Sequence, residues 1–341
     1  MVSEVVLEAI RLLVTAMFAF AVALFVSPIV IRILKRLSFG KQIRTEESAP
    51  IMAGLHKKKE GTPTMGGVVI WGTVLAIAFG LLFTDFNFID RSETYLPLAA
   101  LVIAAFLGLI DDILGVWRKG PLGGGLTVKH KLISYTLLGV LGAWWFYYKL
   151  GFTSIHIPFF GEWEVGAWYF LIFVFVIIAS TFSANETDGL DGLLGGVMLF
   201  ALGALTLVAF VIGKFHLAVL GGAILGALLA FLWFNIYPAR FFMGDTGSMA
   251  LGGVLGTMAM LTDTVVLLPL FFIIPVIESL SVIVQQISKR TRGKKIFLST
   301  PIHHHFEAKG SPESQITMRF WIISIVSVGL GLVIFFIDRF V

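Results

Sequence analysis

The sequence predicts an all-α, polytopic membrane protein, and three observations support this prediction. Of the 341 residues, 57% are hydrophobic and only 13% are charged, whereas an average soluble domain carries charge on the order of 25%. The mean hydropathy is +0.94. Apolar runs of bilayer length recur along the whole chain. No linker or shift in composition separates a second unit, so residues 1–341 are expected to form a single integral membrane domain.

Ten transmembrane helices are expected, because each needs an apolar run of roughly 17–25 residues to cross a bilayer. They are placed at 9–34, 66–83, 95–110, 131–149, 167–184, 193–212, 217–236, 247–262, 264–288 and 319–337. The first lacks a small-residue cleavage site and is expected to be retained. Only a turn at Thr262 and Asp263 separates the eighth from the ninth. Between the fourth and fifth, residues 153–165 alternate around Gly161, which predicts a short hairpin on the outer surface.

The distribution of Lys and Arg sets the predicted orientation. Loops that follow odd-numbered helices hold nineteen of these residues, whereas the remaining loops and the termini hold four. The positive-inside rule therefore places the basic loops in the cytoplasm and both termini outside. With nine helices, the basic loops would no longer all lie on one side of the membrane. The chain has no cysteine, which excludes disulfides and thiolate metal sites.

Carboxylates stand at the ends of three apolar runs, and this threading puts all of them on the cytoplasmic side. They are Asp111 and Asp112, Asp188 and Asp191, and Asp245. Anionic head groups repel such residues, and burial gives them no gain. Their convergence predicts a site for a cation, a proton or a metal-bound phosphate. Solvated or helix-capping carboxylates remain the alternative, most directly for Asp245, which opens a helix.

Basic and imidazole groups lie in the same predicted loops. Lys57, Lys58 and Lys59 precede a glycine-containing segment, although the three lysines taken alone are better explained as positive-inside markers. Residues 303–305 are three histidines in a row, which cannot share one helix face, so a tridentate zinc site is not expected. Oxygen ligands combined with phosphate point to Mg²⁺. Nothing resembles a P-loop, so hydrolysis of a nucleoside triphosphate is not suggested.

Five motifs occur in one order along the chain. They are Gly-Thr-Pro-Thr-Met-Gly-Gly, Asp-Asp, Thr-Asp-Gly-Leu-Asp-Gly, Phe-Met-Gly-Asp-Thr-Gly-Ser and Pro-Ile-His-His-His-Phe-Glu. In this set the chain resembles, over nearly its whole length, the bacterial phospho-N-acetylmuramoyl-pentapeptide transferases (the MraY family) of the polyprenyl-phosphate N-acetylhexosamine-1-phosphate transferase superfamily. The resemblance implies transfer of phospho-MurNAc-pentapeptide from UDP-MurNAc-pentapeptide to undecaprenyl phosphate, giving lipid I and UMP in peptidoglycan synthesis. It also implies Mg²⁺, ten helices, a cytoplasmic active-site cleft in the bacterial inner membrane and a homodimer.

The resemblance assigns roles to residues that match its motifs. It implies Asp245 as the magnesium ligand and Asp111 and Asp112 as the essential pair, one of which deprotonates the lipid phosphate. A covalent aspartyl intermediate remains an alternative. His304 is grouped with these catalytic residues. The residues assigned to substrate binding are Lys59, Thr64, Lys129, Asn185, Asp188, Gly189, Leu190, Asp191, Asn235, Phe242, Gln285, His303 and His305.

One departure and two alternatives accompany this hypothesis. Glu186 stands where the family usually has leucine, and it adds an anion beside a diphosphate substrate. A related transferase would share the aspartates and Mg²⁺ but use a UDP-GlcNAc type of sugar, which the triple histidine disfavours. A cation-coupled transporter would place its acidic residues near mid-membrane, whereas here they lie at helix ends.

Overall fold

The computed structural model describes residues 2–37, 39–40, 59, 61–84, 86–90, 92–117, 119 and 124–341, and these are mostly helical. The first eight helices are α1 (Val2–Arg36), α2 (Gly67–Gly80), α3 (Tyr95–Val116), α4 (Val128–Trp144), α5 (Trp168–Thr187), α6 (Leu193–Val211), α7 (Phe215–Asn235) and α8 (Asp245–Leu261). The last four are α9 (Leu268–Phe271), α10 (Ile273–Arg292), α11 (Ile302–Ala308) and α12 (Glu313–Phe340). A π-helical turn, Trp145–Lys149, extends α4.

Each of the ten predicted apolar segments contains a helix, and within the described residues six helices are long and apolar enough to cross a membrane. These six are α1, α3, α5, α6, α7 and α12, and α2 is a shorter apolar helix. The chain is therefore a mostly helical membrane protein. The ninth predicted span is not continuous, because the backbone breaks at Phe272, between α9 and α10.

Helix α8 forms the centre of the bundle and carries Asp245 at its first position. Every residue from Thr246 to Leu261 is buried, with α3 and α5 among the helices packed against it. Small residues allow this packing: a Cβ added at Gly252 would lie 2.6 Å from the Thr181 Cα in α5. Close backbone approach of this kind is typical of helices packed inside a membrane.

Helix α10 turns its polar side toward the bundle. Glu278, Ser281 and Gln285 are buried, whereas Leu280 and Ile287 are exposed. This is the reverse of a helix on a soluble protein, where the apolar face is the buried one. An apolar outer face suits contact with lipid.

The predicted hairpin is present and lies at the end of α8 away from Asp245. Strands β1 (Ser154–Ile157) and β2 (Gly161–Glu164) pair antiparallel, with His156 opposite Glu162. The His156 amide donates to Asp263 Oδ1 at 3.0 Å, in the turn that follows α8. The hairpin therefore caps the far end of the bundle.

Candidate active site at one end of the bundle

Helix ends from along the whole chain meet around the start of α8. Helices α3, α5 and α7 end there, and α2, α4, α6 and α12 begin there. This alternation agrees with the predicted up-and-down threading. It gathers most of the sequence motifs at one end of the molecule.

The innermost polar cluster surrounds Asp245. Lys131 in α4 forms ion pairs with Asp245 and with Asp111, whose Oδ2 lies 2.8 Å from Lys131 Nζ. Asn185, near the end of α5, donates from Nδ2 to Asp245 Oδ1 at 3.0 Å. The Asp111 side chain is 9% exposed and that of Asp245 is 21% exposed. A cation therefore lies between two largely buried carboxylates that would otherwise repel each other.

Asp112 contacts the start of α8 in a different way. Its Oδ2 accepts a hydrogen bond from the Thr246 amide at 3.0 Å, which satisfies one of the free N–H groups in the first turn of the helix. Gly108, one turn earlier on α3, permits this approach. A Cβ there would lie 2.5 Å from the Thr246 nitrogen and would overlap the Asp245 carbonyl. Asp112 thus caps α8.

The segment between α5 and α6 carries two further carboxylates. Asp188 Oδ2 accepts from the Gly244 amide at 3.1 Å, and Asp191 Oδ2 accepts from the Ala239 amide at 2.9 Å. Both hydrogen bonds hold this segment against the connection between α7 and α8. Capping of a helix was the alternative to a binding role for these carboxylates, and neither hydrogen bond caps α6, because both donors belong to the α7–α8 connection.

Lys59 reaches the same segment from the beginning of the chain. Its Nζ lies 2.7 Å from Asp191 Oδ1 and also pairs with Glu313, the first residue of α12. It lies 5.7 Å from the centre of the Phe242 ring. Burial lowers the pKa of Lys59, but the charges of Glu313 and Asp191 outweigh burial and raise the pKa above its usual 10.5. Lys59 is therefore a cation at neutral pH.

Asn235 and Thr64, two residues assigned to substrate binding, both lie against the connection between α7 and α8. Asn235 accepts from the Gly192 amide at 3.1 Å and donates to the Phe241 carbonyl at 2.9 Å. Thr64 is buried, and its Oγ1 lies 2.8 Å from the position that a Cβ at Gly244 would take. Gly244 has a φ of 73°, which favours glycine. A side chain at this position would be strained and would collide with Thr64.

His303 is the histidine that touches the α5–α6 segment. It is fully buried, and its Nε2 packs so closely on Gly189 that a Cβ there would overlap it. Its Nδ1 lies 3.0 Å from Oε2 of Glu278, which is also fully buried. Leu190, next to Gly189, is buried in a small apolar cluster. The histidine segment is thus packed directly on the acidic one.

The other two histidines have separate partners. His304 Nδ1 lies 2.6 Å from Glu307 Oε2, and the Leu298 amide donates to His305 Nδ1 at 3.1 Å. The three imidazoles therefore use three different partners, as expected for consecutive residues that do not share a helix face. The catalytic role implied for His304 stays a prediction.

Gln285 organises the connection that follows α10. Its Oε1 accepts from the Ile296 amide at 2.8 Å and from the Phe297 amide at 3.1 Å, and its Nε2 donates to the Phe297 carbonyl at 2.9 Å. Through these hydrogen bonds the Gln285 side chain holds the backbone of residues 296 and 297 against α10. The implied contact with the nucleoside stays a prediction.

The structure places Lys131 of α4 at the site, a lysine that the sequence did not single out, and the substrate-binding role implied for Lys129 stays a prediction. Lys129 has an exposed side chain, whereas Lys131, two residues later, pairs with the aspartates. Glu186 is half-buried in the last turn of α5. Lys57 and Lys58 lie outside the described residues.

Three charged residues at the site were missed from the sequence: Lys131, Glu278 and Glu313. A usable signal existed for Glu278, since a charged residue within a membrane span normally faces the protein interior. Lys131 opens the fourth predicted span and was counted only as a basic loop residue. Glu313 lies outside every predicted span, so nothing in the local sequence distinguished it.

The donor set around Asp245 fits a hard divalent cation. Asp111, Asn185 and Asp245 present carboxylate and amide oxygens around one position, and Mg²⁺ prefers such oxygens while keeping several waters. The Lys131 ammonium contacts both carboxylates, which shows that this position attracts positive charge. Asp245 and Asp111 are the residues that would hold the ion.

Comparison with known proteins identifies the family. Residues 94–263 match the profile of Glycosyl transferase family 4, and residues 59–70 match Phospho-N-acetylmuramoyl-pentapeptide-transferase signature 1. A phospho-N-acetylmuramoyl-pentapeptide-transferase of Anoxybacillus flavithermus is 39% identical over 326 residues, covering 95% of this chain and 97% of the relative. The chain belongs to the phospho-N-acetylmuramoyl-pentapeptide transferase family.

Two further members of this family show the same extent of similarity. The Bacillus subtilis phospho-N-acetylmuramoyl-pentapeptide-transferase is 39% identical over 327 residues, covering 95% of this chain and 97% of the relative. That of Halalkalibacterium halodurans is 40% identical over 321 residues, covering 92% of this chain and 94% of the relative. The resemblance seen in the motifs is therefore confirmed over nearly the full length. The chain is a bacterial membrane protein of this transferase family.

Proposed function

We propose that the protein transfers phospho-MurNAc-pentapeptide from UDP-MurNAc-pentapeptide to undecaprenyl phosphate, giving lipid I and UMP. The observation that carries this proposal is that Asp111 and Asp245 share the largely buried Lys131 while Asp112 contacts the first turn of the same helix, in a chain of this family. A second lysine, Lys59, pairs with Asp191 in the neighbouring segment. Carboxylates can hold a divalent ion, and lysines can hold phosphate oxygens. Both are needed where a phosphoryl group changes partners.

The proposed reaction is direct displacement. An oxygen of the lipid phosphate forms a bond to the β-phosphorus, the bond from that phosphorus to the oxygen bridging to the α-phosphate breaks, and UMP leaves. One carboxylate of the adjacent pair, Asp111 or Asp112, accepts the proton of the lipid phosphate. Each already accepts a backbone hydrogen bond, Asp111 from the Leu126 amide and Asp112 from the Thr246 amide. Lys131 stabilises negative charge near the reacting phosphates. Mg²⁺, held by Asp245, would neutralise charge on the diphosphate.

The proposal includes the arrangement in the membrane. Ten helices cross the bilayer, the end that carries Asp245 faces the cytoplasm, and both termini and the hairpin lie outside. The Lys and Arg asymmetry supports this orientation. A homodimer, implied by the family resemblance, belongs to the same proposal.

An assay with purified protein tests the function. In detergent with Mg²⁺ and undecaprenyl phosphate, UDP-MurNAc-pentapeptide should yield UMP and lipid I, whereas UDP-GlcNAc should yield no product. Turnover without a sealed compartment would also exclude transport as the primary function. Transfer from UDP-GlcNAc at a comparable rate would contradict the proposed substrate. Release of UMP before lipid phosphate is added would favour a covalent aspartyl intermediate over direct displacement.

A further inference from the structure

Glu313 stands out because it is largely buried at the site, charged and unassigned to any role. It is the first residue of α12, and its side chain is 11% exposed. Its Oε1 pairs with Lys59 Nζ and accepts the Asp191 amide at 2.6 Å. One carboxylate oxygen therefore holds both a lysine from the start of the chain and the backbone of the α5–α6 segment.

Glu313 lies on the face of α12 that forms hydrogen bonds to the α5–α6 segment. Thr317 Oγ1 donates to the Asp191 carbonyl at 3.3 Å, and Trp321 Nε1 donates to the Gly192 carbonyl at 3.2 Å. Positions 313, 317 and 321 are four residues apart and so lie on the same side of a helix. Of these three residues, Glu313 is the negatively charged one and pairs with Lys59.

The ion pairs of Lys59 offset the cost of burying its ammonium group. A largely buried ammonium is costly unless it is paired, and a free lysine side chain loses much rotamer entropy when a ligand immobilises it. Asp191 and Glu313 together supply the charge and fix the ammonium. Lys59 is thereby held 5.7 Å from the centre of the Phe242 ring before any ligand arrives.

We propose that Glu313 is a positioning residue for the uridine nucleotide, since it fixes the Lys59 ammonium and the Asp191 backbone in the arrangement that the nucleotide meets. This inference rests on the proposed function, which places Lys59, Asp191 and Phe242 around that nucleotide. Glu313 acts through Lys59. Its hydrogen bonds lie at the opposite end of the 185–192 segment from Asn185, which contacts Asp245.

Steady-state kinetics of the full-length protein test the proposal with Glu313→Gln, which keeps the shape and an acceptor oxygen but removes the charge. We expect KM for UDP-MurNAc-pentapeptide to rise about tenfold, the size expected for an ammonium that loses one of its two charge partners and part of its rotamer restraint. The turnover number and KM for undecaprenyl phosphate should stay unchanged. Binding of UMP, measured by calorimetry, should weaken by the same factor.

Thr317→Val is the matched control, because it removes a hydrogen bond to the same segment without touching Lys59. Its effect on KM should be small, about twofold, as expected for one weak neutral hydrogen bond. Adding Glu313→Gln to Lys59→Met should raise KM no further, since the partner is already gone. Thermal unfolding of each variant in detergent reports whether the fold is intact.

Several outcomes would overturn the inference. The first is an unchanged KM for UDP-MurNAc-pentapeptide in Glu313→Gln, and the second is a lowered KM, which would mean that Glu313 competes with the nucleotide for Lys59. The third is an effect of Thr317→Val on KM as large as that of Glu313→Gln. The fourth is that the effects of Glu313→Gln and Lys59→Met add. If the wild-type protein makes no lipid I, the proposed function fails, and UMP binding still tests Glu313 separately. If the wild type is active and Glu313→Gln binds UMP normally, only this inference fails.

Discussion

The two ends of helix α8 both carry an aspartate in a polar cluster, yet the clusters are built differently. At one end Asp245 joins buried carboxylates and Lys131 from separate helices. At the other end Asp263 receives the His156 amide, and His156 contacts Glu162 and Asp338 at 3.0 and 2.6 Å. The Glu162 side chain is 53% exposed. Burial alone does not separate the clusters, since the side chains of Lys131 and Asp245 are 20% and 21% exposed and those of His156 and Asp338 are 12% and 6% exposed. They differ in what they join: the first brings charged side chains of separate helices together, whereas the second attaches the hairpin to the bundle.

The difference indicates which cluster is there for function. Burying several carboxylates is costly even when they are paired, and replacing them with apolar residues often leaves stability unchanged or higher. The Asp245 cluster is therefore poorly explained by stability. The hairpin cluster also contains carboxylates, but Asp263 and Asp338 accept hydrogen bonds from the backbone amides of His156 and Phe159, and Asp338 also contacts the His156 imidazole. These contacts attach the hairpin to the bundle, which is a structural role.

The largest expected effect follows from changing Asp245. Asp245→Asn keeps the shape of the side chain but removes the charge that pairs with Lys131 and that would hold Mg²⁺. Activity should fall by about a thousandfold or more, the scale of losing a main electrostatic group in phosphoryl transfer. Lipid I formation by the purified variant, at saturating substrates, is the measurement.

Removing divalent ions from the wild-type protein with a chelator should reproduce this loss, and added Mg²⁺ should restore activity in the wild type alone. Near-normal turnover of Asp245→Asn would refute its assignment as the metal ligand. Thermal unfolding of the variant should stay close to that of the wild type, since Lys131 keeps Asp111 as its charge partner.

The next effect concerns Gly108, which lets α3 lie against the start of α8. In Gly108→Ala the new Cβ would meet the Asp245 carbonyl and the Thr246 amide, so α8 must shift away from Asp112. Because displacing reactive groups by about 1 Å can cost on the order of a hundredfold in rate, kcat should fall by about that factor. The measurement is the steady-state rate.

Gly115→Ala on the same helix is the control, since no atom lies within 4 Å of a Cβ at that position. Its activity should match that of the wild type. Equal rates for the two alanine variants would mean that the contact between α3 and α8 does not control the geometry of the site.

The smallest effect on activity is expected at the hairpin end. His156→Ala removes hydrogen bonds to Asp338 and Glu162, and the free energy of unfolding should fall by about 1–3 kcal/mol. The melting temperature in detergent should drop, while kcat/KM stays unchanged. Glu164→Gln, whose side chain is exposed on β2, should alter neither quantity. A loss of activity in His156→Ala without a loss of stability would contradict the contrast between the two ends.

Much of this arrangement could be predicted from single segments of sequence. Apolar run length located the helices, and alternation around Gly161 located the hairpin, because both depend on local periodicity. The motifs located the aspartates at helix ends. The break at Phe272 was not predicted, since the apolar run continues through it. The local signal is Pro275, which lies in the first turn of α10, where proline is tolerated, and which would disrupt the interior of one continuous helix.

It was harder to predict which residues contact each other than to predict where the helices and motifs lie in the chain. The sequence favoured Lys129 over Lys131 and offered nothing for Glu313, because which side of a helix faces the site depends on its rotation in the bundle. Asp111 and Asp112 are adjacent and chemically identical in the sequence. Their separate contacts, one with Lys131 and the other with the first turn of α8, appear only when three helices are in place.

The amino-acid sequence alone determined that this chain lies in a membrane, which segments are helical and which motifs carry charge, since these follow from composition and local spacing. Only the tertiary structure decided which charges meet. Lys59 and Glu313 are 254 residues apart in the chain, and the ion pair between them exists because helix packing brings their backbones together. Short-range patterns cannot encode that contact, because its geometry is set by every helix lying between the two residues.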